Sequence, residues 1–189
     1  MTPDPHPWPA TLPTLHAEVW ARLVRGVHDR RAAARHPTLA TVAPDGAPQL
    51  RTVVLRAADR AQARLHVHTD LRSAKVDDLR AEPRAAVHVW DRGAHLQLRL
   101  SARATILTGS AVADLWARLP DPARLAYGGT PPPGHALPDA LAYDRTPDPA
   151  AFAVLQLHVE AMDILHLGPS HRRAVFARAD GWAGQWCAP

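Results

Sequence analysis

The chain has very little lysine and cysteine, and both shortages are informative. It has 189 residues with 22 basic side chains, of which only Lys75 is lysine. Cys187 is the only cysteine, so an internal disulfide and a metal site built on several cysteines are excluded. No run approaches the roughly 18 apolar residues that a membrane-spanning helix needs. Hydrophobic residues still make up 47% of the chain, enough for a folded core.

Charge and motif patterns exclude several partner classes. The formal net charge of +4 is modest, and the basic runs with interleaved aromatics typical of nucleic-acid binding are missing. No G-x-G-x-x-G follows a predicted strand, and no Walker-type lysine is present. The proline-rich segment 1–14 lacks a basic-then-apolar signal pattern. We therefore expect a cytoplasmic protein that binds neither nucleic acid nor membrane.

Hydrophobic periodicity predicts many strands and few helices. Apolar residues at i+4 spacing predict a helix over about 14–34, and shorter helices are expected over 73–81 and 111–119. Alternating or β-rich runs predict strands over 38–43, 49–57, 64–68, 85–90, 94–107 and 152–167, with a closing hairpin after 171. Residues 120–150 hold eight prolines and predict a long surface loop. Because most connections are hairpins, we expect one mainly β domain over 1–189, a β-barrel with peripheral helices.

The turn after the third predicted strand collects hydroxyls and two kinds of cation. The stretch LHVHTDLRSAKVDDL contains Thr69, Arg72, Ser73 and Lys75 where a helix begins. Guanidinium, ammonium, hydroxyl and helix N-terminal N–H groups are the donors that phosphate recognition uses. In an antiparallel pairing, an arginine of the preceding RTVVLR strand could join them. The alternative is that the cations form ordinary surface salt bridges with Asp70, Asp77 or Asp78, or that Lys75 lies on a solvated face.

The strand predicted over 94–107 has a polar face that needs an explanation. Its apolar residues alternate with polar residues, which are His95, Gln97, Arg99, Ser101 and Arg103. Side chains two residues apart lie on one face of a strand. The polar face must therefore look towards solvent, a ligand or a partner subunit.

Taken together, three segments resemble the pyridoxamine 5′-phosphate oxidase family of flavin proteins. They are RTVVLR (51–56), HVHTDLRSAKVDDL (66–79) and HLQLRLSARA (95–104). The resemblance runs from about 36 to 108, resumes in the tail HRRAVFARADGWAGQWCAP, and is greatest to the oxidase-like branch with the TDxRSxK turn. It implies an FMN-binding split barrel that forms a homodimer with FMN at the subunit interface and acts on a small-molecule substrate.

The resemblance also implies roles for individual residues. Arg51 and Lys75 would hold the FMN phosphate, with Arg72 and Ser73 assisting. Backbone atoms of Thr52, Val53 and Val54, together with His68 and Thr69, would contact the flavin. Gln97 would reach the flavin from the second subunit. Arg56 replaces a lysine on the substrate side of the family's site.

Departures from the family pattern concern the substrate. Leu115, Leu119 and Ala123 stand where the true oxidase has a tyrosine, an arginine and a serine for the substrate phosphate. Leu165 replaces a tryptophan that packs on the flavin. The resemblance therefore implies an FMN-dependent oxidoreductase of unknown substrate that does not form pyridoxal phosphate.

Two alternatives remain open from the residues. One is a flavin- or haem-binding carrier or sensor without turnover of its own. The other is a zinc or haem-iron site built from histidines, the candidates being His66, His68, His88 and His95. No acidic or cysteine partners stand at a fixed spacing from them, so the sequence predicts no metal. The best candidate for a proton-transfer group is His68.

Overall fold

A computed structural model describes residues 10–189, and antiparallel strands dominate it. The strands are β1 (Thr38–Val42), β2 (Pro48–Thr52), β3 (Leu55–Asp59), β4 (Arg64–Asp70), β5 (Arg84–Asp91), β6 (Leu96–Leu107), β7 (Phe152–His166), β8 (Arg172–Ala177) and β9 (Gln185–Cys187). The helices are α1 (Leu12–His28), α2 (Ala74–Ala81), α3 (Ala113–Arg118) and α4 (Asp121–Arg124). Among the described residues, no helix is long and apolar enough to cross a membrane. Most of the proline-rich segment 1–14 lies outside the described residues.

The strands form one branched sheet with the order β2-β1-β5-β6-β7-β4-β3. The branch lies in β7, whose first part up to His158 pairs with β4 and whose second part from Ala161 pairs with β8. A register shift between Ser101 and Ala102 of β6 leaves Glu160 of β7 without an opposite residue. Such a bulge increases local twist, which lets the strand serve two neighbours. The predicted mainly β, antiparallel fold is confirmed.

The strand predicted over 49–57 is divided into β2 and β3. The N–H of Val53 donates to the carbonyl of Pro37 at 3.0 Å, and the chain then leaves β1. From Leu55 onwards it pairs with β4 instead. The run of β-branched residues therefore predicted extended backbone correctly, but such a preference carries no information about which neighbour is paired. The break puts Val53 and Val54 at a corner of the barrel.

The first helix ends earlier than the sequence predicts. Thr11 caps its start, and its last turn closes at His28 instead of continuing to about 34. Residues 33–35 form a separate 3-10 turn. A Cβ at Gly26 would lie 2.6 Å from the backbone of Ala34, so the chain folds back tightly onto the helix.

Two apolar clusters lie on opposite faces of the β4–β7 region. The main core fills the barrel with the inward residues of the strands and one face of α1. A smaller cluster on the outer face contains Val112, Tyr127, Phe152 and Val154. Partly buried residues around α3 pack on it. The loop after α4 therefore contributes Tyr127 to a buried cluster.

Candidate functional site

The turn from β4 to α2 holds a cluster of hydroxyls around the only lysine. Ser73, at the N-cap position of α2, donates its Oγ hydrogen to the carbonyl of Asp70 at 2.7 Å. Its Oγ also lies 3.2 Å from the Oγ1 of Thr69. Lys75 Nζ donates to both hydroxyl oxygens at 3.0 Å. Thr69 and Ser73 are buried, so the half-buried Lys75 is held against the protein by its ammonium group.

Lys75 is held in an unfavourable electrostatic environment. Burial lowers its pKa from the ordinary value, and the charge of Arg51 lowers it further. Among residues 10–189, no carboxylate lies within ion-pair distance of Lys75. A salt bridge between Lys75 and Asp77 or Asp78 is therefore not formed. A buried cation without a carboxylate partner is costly unless an anion joins it.

Arg51 is oriented by a polar pair beneath it. Its Nη1 donates to Thr41 Oγ1 at 2.6 Å, and its Nη2 lies 3.3 Å from Asp78 Oδ2. Thr41 in turn donates to the same Asp78 oxygen at 2.6 Å. Asp78 is only 4% exposed. Arg51 thus pairs with Asp78 while Lys75 has no carboxylate within ion-pair distance, so the two cations together leave an excess of positive charge.

Arg72 engages a different partner from the other cations of the turn. Its Nη2 lies 2.7 Å from Asp70 Oδ2 and 3.0 Å from the carbonyl oxygen of Gly129. For Arg72, the salt bridge with Asp70 that the sequence left as an alternative is formed. Its guanidinium therefore links the turn to the loop after α4.

A second cluster lies around His68. Its ring meets the ring of Phe152 edge-on at 5.1 Å, and Tyr127 meets Phe152 at 5.0 Å. Burial, helped by the charge of Arg56, lowers the pKa of His68 to about 4. Burial raises the pKa of Tyr127, while Arg56 opposes this through its charge and a hydrogen bond. Arg56, His68 and Tyr127 therefore form one group, and at pH 7 its histidine is neutral.

Gln97 lies on the outer face of the sheet. In register it stands between Trp90 of β5 and Leu165 of β7. Because β6 is three strands from β2, Gln97 is about 14 Å from β2 at the usual strand spacing. Its own chain therefore keeps it away from Arg51.

The outer face near Gln97 is an open groove with a volume of about 930 Å³. Its central row has small side chains from four strands, namely Ala86, Ser101, Ala161 and Ala177. Beside that row, Arg99 and Arg173 both pair with Asp163, at 3.0 and 2.8 Å.

The sequence-predicted residues thus fall into four places, one of which is the outer face of β6 with Gln97. Arg51, Thr69, Ser73 and Lys75 come together, with Arg72 at the rim. Arg56 and His68 form the second group, and Thr52, Val53 and Val54 lie at the β2–β3 corner. Sequence reasoning missed Thr41 and Tyr127, and it named Asp78 only as a possible surface salt-bridge partner, whereas Asp78 is buried and pairs with Arg51. The position of Asp78, three residues after Lys75 on α2, was a usable signal because such residues share a helix face.

The histidines do not converge. Among the described residues, no group of three or more potential metal ligands comes together. His66 lies 3.2 Å from Gln156 Oε1, and His88 lines the outer groove.

Comparison with known proteins agrees with this geometry. Residues 17–108 match the model of the pyridoxamine 5′-phosphate oxidase FMN-binding domain. Residues 17–108 of the chain form an FMN-binding domain of this family. The matched segment contains the turn from β4 to α2, both arginines of β2 and β3, and Gln97. The match confirms FMN as the family's cofactor, as the sequence predicts.

Relatives in the pyridoxamine 5′-phosphate oxidase family are similar over different spans. Pyridoxine/pyridoxamine 5′-phosphate oxidase 2 of Arabidopsis thaliana is 29% identical over 98 residues, 50% of this chain and 50% of that protein. Pyridoxine/pyridoxamine 5′-phosphate oxidase of Mycolicibacterium paratuberculosis is 35% identical over 106 residues, 53% of this chain and 47% of that protein. The chain therefore spans about half the length of the curated relatives it matches.

A solved structure extends the similarity to nearly the whole chain. It is a pyridoxamine 5′-phosphate oxidase-related, FMN binding protein of Nostoc punctiforme PCC 73102, with 28% identity and a TM-score of 0.75. The alignment covers 92% of this chain and 96% of that one. This confirms the split-barrel fold of the family for this chain.

Proposed function

We propose that this chain is an FMN-dependent oxidoreductase and that Arg51 and Lys75 hold the FMN phosphate. One observation carries the proposal: the half-buried Lys75 lies close to Arg51, and of the two cations only Arg51 has a carboxylate partner, Asp78. Hydroxyls of Thr69 and Ser73 complete a donor set suited to a phosphate. The N-terminal N–H groups of α2 would add a favourable dipole. An anion here would offset the burial and the charge of Arg51, which together lower the pKa of Lys75.

The flavin ring would lie along the corner between β2 and β3. Backbone groups of Thr52, Val53 and Val54 line that corner, and His68 and Thr69 end the neighbouring strand. When bound, FMN supplies the electron-transfer or hydride-transfer chemistry. The chain's own residues would bind and orient the ring and keep water away from it.

A second copy of this chain would cover the outer groove and complete the site. The row of small residues allows close approach of another sheet, and Leu50 (67% exposed) and Trp90 (43% exposed) add apolar surface at its margins. A homodimer would carry Gln97 from one chain to the flavin of the other. This is the same arrangement that the family resemblance implies.

The substrate side would be formed by the group around Arg56. No carboxylate among residues 10–189 lies within ion-pair distance of Arg56, and Tyr127 stands beside it. A small molecule with an anionic group suits this chemistry. The leucines and alanine at 115, 119 and 123 remain unsuited to a phosphate, so we propose a substrate other than pyridoxamine phosphate. The expected single domain over 1–189 and cytoplasmic location belong to the same proposal.

A carrier or sensor without turnover is the second candidate, and one observation favours it. His68 has a pKa of about 4, so it is a weak base and is not protonated at neutral pH. If the reaction requires proton transfer from the protein, His68 is a poor proton donor at neutral pH. Turnover would then depend on the flavin alone.

The deciding experiment is the visible absorption spectrum of the purified protein after addition of FMN and dialysis. Retained flavin absorption supports the proposal, and a colourless protein would contradict it. A Soret band from haem would favour the histidine alternative. Reduction of the retained flavin by NAD(P)H at a useful rate would separate an enzyme from a carrier.

A further inference from the structure

One buried carboxylate ties the turn from β4 to α2 to the loop 125–148. Asp70 is 6% exposed and accepts hydrogen bonds on both oxygens. Its Oδ1 accepts from the backbone N–H and Nε of Arg72, at 2.8 and 3.0 Å. Its Oδ2 accepts from Arg72 Nη2 at 2.7 Å and from the N–H of Gly128 at 3.1 Å. Arg72 also donates to the carbonyl of Gly129. Two residues of the turn thus hold two residues of the loop.

The carboxylate of Asp70 stays charged despite its burial. Burial alone would raise its pKa, but the hydrogen bonds from Arg72 and Gly128 outweigh this, and the pKa of Asp70 is lowered. Hydrogen bonds to a charged group are stronger than neutral ones. The link between turn and loop is therefore a strong one.

The loop is closed on itself next to this link. The N–H of Asp148 donates to the carbonyl of Tyr127 at 3.0 Å, and Thr130 and Asp144 exchange two backbone hydrogen bonds at 3.0 and 2.8 Å. Gly128 has φ +108°, and a Cβ there would lie 2.4 Å from the nitrogen of Asp148. The two arms of the loop are therefore in close contact where Asp70 holds them.

Asp70 also touches the phosphate-binding group. Its backbone carbonyl accepts from Ser73 Oγ at 2.7 Å, and Ser73 Oγ accepts from Lys75 Nζ. Asp70 thus binds the loop with its side chain and the hydroxyl cluster with its backbone. A movement of Asp70 would therefore displace both the loop and the hydroxyl cluster around Lys75.

We propose that Asp70 and Arg72 are positioning residues that couple the phosphate-binding turn to the loop 125–148. Binding of FMN phosphate at Lys75 would stabilise the closed loop, and the closed loop would strengthen FMN binding, because such coupling is reciprocal. The loop carries Tyr127 to Arg56 and His68, so the same coupling would complete the substrate side only when FMN is bound. The FMN-dependent part of this inference rests on the proposed function.

Hydrogen exchange on the full-length protein, with and without FMN, tests the coupling. We expect FMN to slow exchange at Gly128 and Asp148 roughly fivefold in the wild type. Arg72→Gln should speed exchange there about tenfold without FMN, abolish the FMN-dependent slowing and weaken FMN binding about fivefold. The matched control is Arg80→Gln, which removes an exposed Arg–Asp pair on α2 and should behave as the wild type.

A second variant approaches the coupling from the loop. Gly128→Ala does not alter the turn but strains the loop at a positive φ and against Asp148. It should also weaken FMN binding, and thermal melting would establish that both variants fold. If the loop had only a local role, a substitution that leaves every residue of the phosphate-binding turn unchanged would not weaken FMN binding.

The outcomes separate this inference from the proposed function. A wild type that binds FMN without any change in loop exchange would overturn the coupling, as would wild-type FMN affinity in Arg72→Gln. A wild type that fails to bind FMN would overturn the proposed function instead. In that case faster exchange in Arg72→Gln without FMN would still support the link that Asp70 and Arg72 form between the turn and the loop. Unchanged exchange would overturn that link.

Discussion

The turn from β4 to α2 and the outer groove of the sheet differ in how far a single chain provides partners for their side chains. In the turn, every polar side chain has a partner, and hydroxyls, cations and carboxylates interlock in a buried cluster. In the outer groove, small side chains and a few arginines face an opening of about 930 Å³. The turn contains the donors for an anion, whereas the groove, with Gln97 two residues from its Arg99 on the same face of β6, offers a surface suited to another sheet.

This contrast suggests that one chain alone binds the phosphate of FMN, whereas contact with the flavin ring needs both chains. The phosphate half would be built by residues of one chain, Arg51 of β2 and the turn 69–75, so a single chain can preorganise it. The flavin half would need Gln97, which its own fold places about three strands away. Changes in the turn should therefore affect cofactor binding and the loop 125–148 but not assembly, while changes in the groove should affect assembly first and cofactor binding second.

The largest effect is expected from Lys75→Met. Removal of the ammonium should weaken FMN binding roughly 100-fold, because charge-assisted hydrogen bonds to phosphate are lost. The apoprotein should remain as stable or gain up to about 1 kcal/mol, since a desolvated charge without a carboxylate partner is replaced by an apolar chain. FMN titration and thermal melting measure the two quantities.

The control for this change is Arg80→Met, on the exposed side of the same helix. It should leave FMN binding unchanged. If Lys75→Met retained FMN as the wild type does, the assignment of the phosphate site would be wrong. A large loss of apoprotein stability would indicate a structural role for Lys75.

The next largest effect is expected from Ala161→Arg in the centre of the groove. A long charged side chain there would clash with a close-packed partner sheet and bury an unpaired charge. We expect dissociation to monomers and FMN binding about tenfold weaker, because Gln97 of the second copy is lost. Sedimentation velocity and FMN titration would measure this.

Ala61→Arg, in the turn between β3 and β4, is the matched control and should leave assembly unchanged. A wild type that is monomeric at micromolar concentration would contradict the proposed dimer. A dimer that persists in Ala161→Arg would place the interface on another surface.

How far the sequence could predict this arrangement depends on the distance between interacting residues. The alternation in β6 and the hydroxyls and cations of 69–75 are local patterns, and they led to the turn and the polar face. Thr41 and Asp78 lie 37 residues apart and meet only because α2 packs on β1. Their contact depends on tertiary packing, which no local pattern encodes.

The same limit applies to the loop after α4. Its prolines correctly predict a region without long strands or helices, but they do not indicate which single residue is buried. Tyr127 reaches Phe152 because Asp70 and Arg72 hold the adjacent glycines. The division of the 49–57 strand has a similar origin, since the chain changes its pairing partner from β1 to β4 across residues 53 and 54.

A smaller effect is expected from Gln97→Leu, which should weaken FMN binding about fivefold while the dimer persists. Mixed dimers sharpen this test. Consider a dimer of one Lys75→Met chain and one Gln97→Leu chain. If Gln97 reaches the flavin of the other chain, one site combines the unchanged Lys75 with the unchanged Gln97, and the other site contains both substitutions. Half of the sites should then bind FMN with wild-type affinity. If Gln97 acted within its own chain, both sites would be impaired and no high-affinity site would be found.

The smallest effect concerns the pH dependence of apoprotein stability. His68 has a pKa of about 4 in the folded chain and an ordinary value of 6.5, so between these values the unfolded chain binds more protons. Stability should therefore be complete above pH 6.5 and fall as the pH drops towards 4. We expect a loss of about 1 kcal/mol from this residue after allowance for its partial exposure.

Buried His16 should add to this trend. Burial, and then the charge of Arg60, lower its pKa, and its Nε2 accepts a hydrogen bond from Trp20 Nε1 at 3.1 Å. Protonation would remove that acceptor, so stability should again fall with pH below 6.5. Urea titrations between pH 7 and 5 should show a shallower slope in His68→Asn than in the wild type. Exposed His28→Asn provides the control, and an equal slope in all three proteins would show that His68 is not buried as a neutral ring.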